Sequence, residues 1–243
     1  MKNTEELAWA AGLFGAEGSS YYDRHKQAVS MAMSQITDNR QLVDRFQNAL
    51  GLGKVGHHRH AKDNHRASVA WRLRGNHNSS KALNLIWPWL DLEKRQQALT
   101  AIQKLIKDHP EAQITIPREQ HIPSPTEELA WAAGLFGGDG SIWHEALWNK
   151  RRVSMEVSQS TKNRAILERF YQVVSVGKIY DRKHRSTPRR PNPDSRWRAW
   201  TTEACLTVIT LLWPWLDEYK RVCAVRSLEA CGGDTSNLIS YSP

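Results

Sequence analysis

The sequence predicts an α+β fold built from two pseudo-symmetric α-β-β-α-β-β-α repeats, each contributing an antiparallel sheet, with one helix from each repeat packed at their interface. Three observations predict it. Residues 4–19 recur at 126–141 with 14 of 16 identical. The correspondence then continues in order: "VSMAMSQITDNRQLVDRF" from Val29 answers "VSMEVSQSTKNRAILERF" from Val153, "GLGKV" answers "SVGKI", and "IWPWLDLEKR" answers "LWPWLDEYKR". Within each copy, apolar residues switch between helical and strand spacing. The repeats are assigned to 1–107 and 126–243, joined by a proline-rich, polar linker over 108–125.

The elements follow in order. Thr4, with Glu5 and Glu6 behind it, caps a helix that runs through "LAWAAGLFG" to a stop at Gly15 or Gly18. "SSYYDRHKQAVSMAMSQ" is a hairpin, with Val29, Met31 and Met33 on the core face and Ala28, Ser30 and Ala32 opposite. "TDNRQLVDRFQNAL" is an amphipathic helix capped by Thr37, and "GKVGHHRH" with "RASVAWRLRG" is a second strand pair. Residues 79–106, broken at Pro88, supply two further helices, with Trp87, Trp89, Trp213 and Trp215 as core.

Composition limits the function. Lys and Arg number 34 against 25 Asp and Glu, a formal charge of +9 that points to a polyanion partner. No apolar run is long enough to span a membrane, and "MKNTEELAWA" is no secretory signal, so the expected location is intracellular, cytoplasmic or organellar. Three cysteines without metal-ligand spacing are expected to be free thiols.

In the first helix Ala8, Ala11, Gly12 and Gly15 share one face, and Ala130, Ala133, Gly134 and Gly137 repeat it. Small faces of this kind allow two backbones to approach closely, so the twin helices are expected to pack on each other. A two-fold axis between them would bring Glu17 and Asp139 together. Such carboxylates repel unless protonated or bridged by cations. An oxygen-rich pair suits Mg²⁺, and metal ions can clamp the attacking and leaving oxygens of phosphoryl transfer. The alternative is a pair of solvated turn acids, but an acid is electrostatically unfavourable at a helix C-terminus.

At these residues the sequence resembles the LAGLIDADG homing endonucleases. The nine-residue signature stands as "AAGLFGAEG" at 10–18 and "AAGLFGGDG" at 132–140, with Gly15 and Gly137 at the variable sixth position and Glu17 in place of the usual Asp. The resemblance covers nearly the whole chain. It implies a monomer whose paired sheets form a saddle on double-stranded DNA. It further implies that Glu17 and Asp139, with Ala16 and Gly138 before them, bind catalytic Mg²⁺, Mn²⁺ being able to substitute. Gln35 and Gln159 match a position that orders water near the scissile phosphate. Lys94 and Lys220 match a lysine that polarises it, although Arg95 and Arg221 lie one residue on and the register is open.

Strand parity then selects side chains for DNA. In the first repeat these are Tyr21, Asp23, His25, Ala28, Ser30, Ala32, His58, His60, Arg72 and Arg74. In the second they are Trp143, Glu145, Leu147, Arg152, Ser154, Glu156, Tyr180, Arg182, His184 and Arg198. Val55 and Ile179 are expected in the core. "HHRH" at 57–60 has no partner cluster to complete a zinc site, and the basic segment 182–196 suits phosphates. The expected function is site-specific double-strand cleavage of a long asymmetric target with Mg²⁺. An intron RNA maturase and a non-catalytic DNA-binding protein are the alternatives.

Overall fold

The computed structural model describes residues 3–59, 66–115, 117, 121–147, 150–182 and 193–239. The chain divides into two compact units, 1–135 and 136–243. Unit 1 contains α1 (Thr4–Glu17), β1 (Gly18–Asp23), β2 (Ala28–Ile36), α2 (Arg40–Leu50), β3 (Lys54–Arg59), β4 (Ser68–Arg74), α3 (Asn76–Ile86) and α4 (Leu92–Asp108). It also takes the first three turns of α5 (Pro125–Asp139). Unit 2 continues with β5 (Gly140–Leu147), β6 (Lys150–Ser160), α6 (Arg164–Val174), β7 (Lys178–Arg182), β8 (Asp194–Ala199), α7 (Thr202–Leu212), α8 (Glu218–Ala230) and the short α9 (Ser236–Ile239). In each repeat the second strand pair is followed by two helices separated by a 3₁₀ turn at Trp-Pro-Trp, and the second repeat adds the short α9.

Each sheet is four-stranded and antiparallel, ordered β1-β2-β4-β3 and β5-β6-β8-β7. The register sets the faces, because residues paired across an antiparallel ladder point the same way. Met31 pairs with Leu73 and Met33 with Trp71, so these rows build the unit 1 core. Phe14 stacks on Phe46 at 6.0 Å, and Phe46 meets Trp71 edge-on at 4.9 Å. Unit 2 repeats the arrangement with Phe136, Phe170 and Trp197, at 6.3 and 4.9 Å. The indoles of Trp71 and Trp197 donate to the carbonyls of Leu52 and Val176, at 2.7 and 2.8 Å. Gly53 and Gly177 lie directly beneath the rings with φ of +83° and +90°. A Cβ at Gly53 would stand 2.2 Å from the Trp71 nitrogen, so the glycine of each "GK" pair is fixed by conformation and by space.

Helix α1 is buried all round from Leu7 to Gly15. Its small face packs backbone to backbone on the N-terminal turns of α5. A Cβ at Gly12 would lie 2.0 Å from the Trp131 carbonyl oxygen, and one at Gly134 would lie 2.0 Å from that of Trp9. The contact is reciprocal, each glycine meeting the other helix three residues before its own counterpart. It explains why the division of the chain falls inside α5 and not in the linker.

Several local expectations differ from the structure. Asn3, not Thr4, caps α1, accepting from the Glu5 amide at 3.0 Å. Gly15 lies inside the helix, and Glu17 is its last residue. Thr37 starts a 3₁₀ turn rather than capping α2, its own amide donating to the Ala67 carbonyl. Val55 and Ile179 are only half-buried, because β3 and β7 are edge strands. Trp215 is likewise half-buried, whereas Trp87, Trp89 and Trp213 are core. All three cysteines are free, and burial pushes the Cys205 thiol up to about 12. Among the described residues no helix is long and apolar enough to cross a membrane.

The end of the linker is pinned to unit 1 by chemistry that its composition hid. The Ser124 hydroxyl accepts from the Glu127 amide at 3.3 Å, and the Ser124 amide donates back to the Glu127 carboxylate at 2.9 Å, a reciprocal capping box on α5. The His121 ring meets the same carboxylate at 2.7 Å and packs 5.2 Å from Trp89. Burial alone would raise the Glu127 carboxyl. Hydrogen bonds to His121, the Ser124 amide and Thr4 outweigh it and bring the group from 4.5 to about 2. A depressed carboxyl stabilises the fold above its unfolded value and loses that contribution as pH falls through the folded one. Wild type should therefore exceed Glu127→Gln by on the order of 2–3 kcal/mol at pH 6, the gap closing between pH 4.5 and 2. Urea unfolding of both proteins across this range checks it, and a gap independent of pH would refute it.

Candidate active site and nucleic-acid face

In unit 1, Glu17 ends α1 where the chain turns directly into β1. Gln35, 9% exposed at the end of β2, donates to the Glu17 carboxylate at 2.7 Å and is approached by the Asn39 amide at 3.5 Å. The Lys94 ammonium donates to the Gly18 carbonyl at 2.7 Å, immediately after the acid. Asp91 caps α4 by accepting from the Lys94 amide at 3.0 Å, which fixes the phase of the helix.

Unit 2 builds the same set. Gln159 bonds Asp139, and the Lys220 ammonium bonds the Gly140 carbonyl. Asp217 caps α8 through the Lys220 amide at 3.0 Å. Lys220 is buried, with its ammonium 5.7 Å from the Phe136 ring and 5.8 Å from that of Tyr219.

The register left open in the sequence is resolved by the neighbouring arginines. Arg95 donates to the Pro88 carbonyl at 3.1 Å and lies over Trp87, while Arg221 donates to the Trp213 carbonyl at 3.0 Å and lies over that ring. They fasten the Trp-Pro-Trp turns, so it is the lysines that reach the acids' neighbourhood.

The donor chemistry suits a hard cation in each unit. Glu17 and Asp139 are carboxylates at the negative ends of helices. The carbonyls of Ala16 and Gly138 belong to last turns that lack intrahelical donors. Oxygen donors of this kind are what Mg²⁺ takes, with water and phosphate oxygens completing the shell. Among the described residues no group of three or more His, Cys, Asp or Glu side chains comes together as metal ligands.

The outer face of the first sheet carries Tyr21, Ala32, Arg72 and Arg74 as expected from parity, together with Lys54, which pairs with Arg72. A cleft of about 510 Å³ opens along Lys54, Gly56, Arg72 and Arg74. Asp23 is on this face but is committed locally, accepting from the His25 and Lys26 amides at 3.0 and 3.2 Å. His25 therefore sits in the turn, not in a strand. Ala28 and Ser30 occupy the outer row but are 8% and 1% exposed, against the expectation that they are open. Ser30 lies between the larger Tyr21 and Arg74, which shade it. His58 falls where the ladder shifts between His57 and Arg59. Its side chain and the whole of His60 lie outside the described residues.

The second sheet has a different character. Arg152, Glu145, Trp143, Glu156, Arg198, Tyr180 and Arg182 share its outer face, with Ser154 fully buried beneath Trp143 and Arg198. Arg152 donates to Glu145 at 2.9 Å, and Arg198 pairs with the same carboxylate. Arg196, which the parity reading missed, donates to Glu156 at 2.6 Å and to Asp194 at 2.7 Å. Counting outward from the core residue Trp197 would have found it, just as counting back from Val55 and Ile179 would have found Lys54 and Lys178. The Leu147 side chain, His184, and residues 183–192 of the basic segment lie outside the described residues.

No family model and no curated protein matches the chain. Solved structures do. The LAGLIDADG meganuclease I-AabMI, bound to uncleaved DNA, matches with a TM-score of 0.67 and 13% identity over 98% of this chain and 91% of that one. The LAGLIDADG homing endonuclease I-GzeII, in complex with its DNA target, matches at 0.64 and 14% over 98% and 92%. I-SmaMI, bound to cleaved DNA, matches at 0.59 and 14% over 92% and 88%. The chain thus has the two-repeat fold of these proteins.

Proposed function

We propose that this chain is a site-specific endonuclease that hydrolyses one phosphodiester on each strand of double-stranded DNA, acting as a monomer with Mg²⁺. The observation that carries the reading is the duplicated set at the signature-helix ends: acid, strand-end glutamine and lysine, with the same hydrogen bonds in each unit. The shared fold with DNA-bound homing endonucleases supports it.

Glu17 and Asp139, with the carbonyls of Ala16 and Gly138, would hold the metal, which supplies Lewis-acid stabilisation of charge on the phosphate oxygens. Gln35 and Gln159 fix the carboxylate rotamers with one amide N–H each and keep the second N–H available to orient water. Lys94 and Lys220 place a positive charge one residue beyond each acid, where charge developing on a phosphate is stabilised. The outer sheet faces supply arginine and lysine for phosphates and base edges. Since Ala28, Ser30 and Ala32 stand where the second repeat has Arg152, Ser154 and Glu156, the half-sites should differ in sequence.

Selection of cleaved sites from a randomised duplex library in Mg²⁺ tests the proposal. An asymmetric consensus with breaks on both strands is the expected result. Selective binding without breaks would instead identify a non-catalytic DNA-binding protein. Affinity should also fall steeply with salt through counterion release, with a log–log slope of roughly −5 if about six phosphates are contacted. A nearly flat slope would remove the sheets' positive charge from the interface.

A further inference from the structure

We infer that Glu145 and Glu156 are positioning residues that lock the arginines of the second sheet for base recognition, rather than groups that accept from bases themselves. The inference rests on the endonuclease reading above. Each carboxylate is already committed on the outer face. Glu145 takes two bonds from Arg152, at 3.1 and 2.9 Å, one from the Trp143 indole at 2.9 Å, and one from Arg198. Arg198 is held from its other side by the Trp143 ring, 5.1 Å from its guanidinium. Glu156 takes Arg196 at 2.6 Å and the Ser158 hydroxyl at 3.1 Å, with the Tyr180 hydroxyl at 3.5 Å. Both acids are recessed, at 24% and 14% side-chain exposure.

A carboxylate on a face that meets a polyanion weakens binding, and its lone pairs here are largely filled by protein donors. What it provides is order. A guanidinium held at two points presents its remaining N–H groups in one plane, so less rotamer entropy is lost when it meets a guanine edge. The first repeat keeps an acid and an arginine at two of these positions, Asp23 for Glu145 and Arg72 for Arg198. It folds without the network, Asp23 accepting from the His25 and Lys26 amides instead. At the corresponding positions of the first repeat, Ala28 stands for Arg152, Ala32 for Glu156 and Ala70 for Arg196. Burial would raise the Glu145 carboxyl, yet bonds from Arg152 and Trp143 and the charges of Arg198 and Arg152 hold it below the usual carboxylate range. It therefore stays ionised as a clamp at neutral pH.

The test compares wild type with Glu145→Gln and Glu156→Gln for affinity to the selected target, to its single-base variants, and to a random duplex of equal length. Removing one negative charge should tighten binding to the random duplex. Selectivity over single-base variants in one half-site should fall roughly tenfold per lost arginine contact. Tighter binding to every duplex with selectivity unchanged would overturn the inference, because a carboxylate that only repels DNA behaves that way. Arg152→Lys keeps the charge but loses the fork, and should lower the same selectivity even if a glutamine variant is poorly folded. Unchanged selectivity in the lysine variant would also overturn it. A wild-type protein that shows no preference for any duplex would overturn the endonuclease reading, and the inference with it.

Discussion

Glu17→Gln and Asp139→Asn are each expected to abolish linearisation of a target plasmid while leaving the fold and DNA affinity in place. Each change keeps the shape of the side chain and deletes the charge that a hard cation needs at a helix end where the backbone supplies carbonyl oxygens. The neighbouring groups remain: Gln35 or Gln159 still has an oxygen to donate to, and Lys94 or Lys220 still bonds the carbonyl that follows. Cleavage should fall on the order of a hundredfold to a thousandfold, the scale on which loss of one charge-stabilising group is felt in an active site. Cutting at the wild-type rate by both variants, at equal occupancy of the DNA, would show that these carboxylates are turn acids only.

The second large effect lies in the helix contact. Gly12→Ala or Gly134→Ala puts a methyl group 2.0 Å from a backbone carbonyl oxygen. No rotamer change relieves a clash with main chain, so the helices must separate along their length. Overpacking costs of about 3 kcal/mol or more follow, a fall in Tm of roughly 6–12 °C for a chain of this size. Gly56→Ala is the matched control, because nothing lies within 4 Å of the Cβ it would add. It should stay within about 0.5 kcal/mol of wild type. Equal melting temperatures for Gly12→Ala and Gly56→Ala would mean that the helices do not approach as closely as described.

That close approach was legible in the sequence, since small residues at three- and four-residue spacing occur twice and have few other uses. The sheets were legible for a related reason. Once Val29, Met31 and Met33 are assigned to the core, a period of two fixes every other side chain on the strand. Parity gives direction but not exposure, however. Ser30 and Ser154 face outward and are still buried, because a short side chain is shaded by the longer ones on paired strands. Nor does parity survive the irregularity between His57 and Arg59. The choice between Lys94 and Arg95 was open because a proline breaks the helix upstream. Asp91 and Asp217 as N-caps would have settled it, since an acid three residues before each lysine restarts the helical count there. The ion pairs of Glu145 and Glu156 depend on strand order, which no single-strand pattern contains.

The reciprocal glycine contact also has a consequence for synthesis. Helix α1 leaves the ribosome well before its partner, because the backbone that covers Gly12 belongs to Trp131 and Leu135. At ~5–20 residues per second, the intervening stretch of roughly 120 residues takes on the order of 6–25 s to make. Throughout that interval the first repeat can complete its own sheet, but Gly12 and the small face around it have no partner. The nascent chain is thus expected to leave one face of α1 uncovered for seconds, an interval in which slower translation through the linker should increase aggregation.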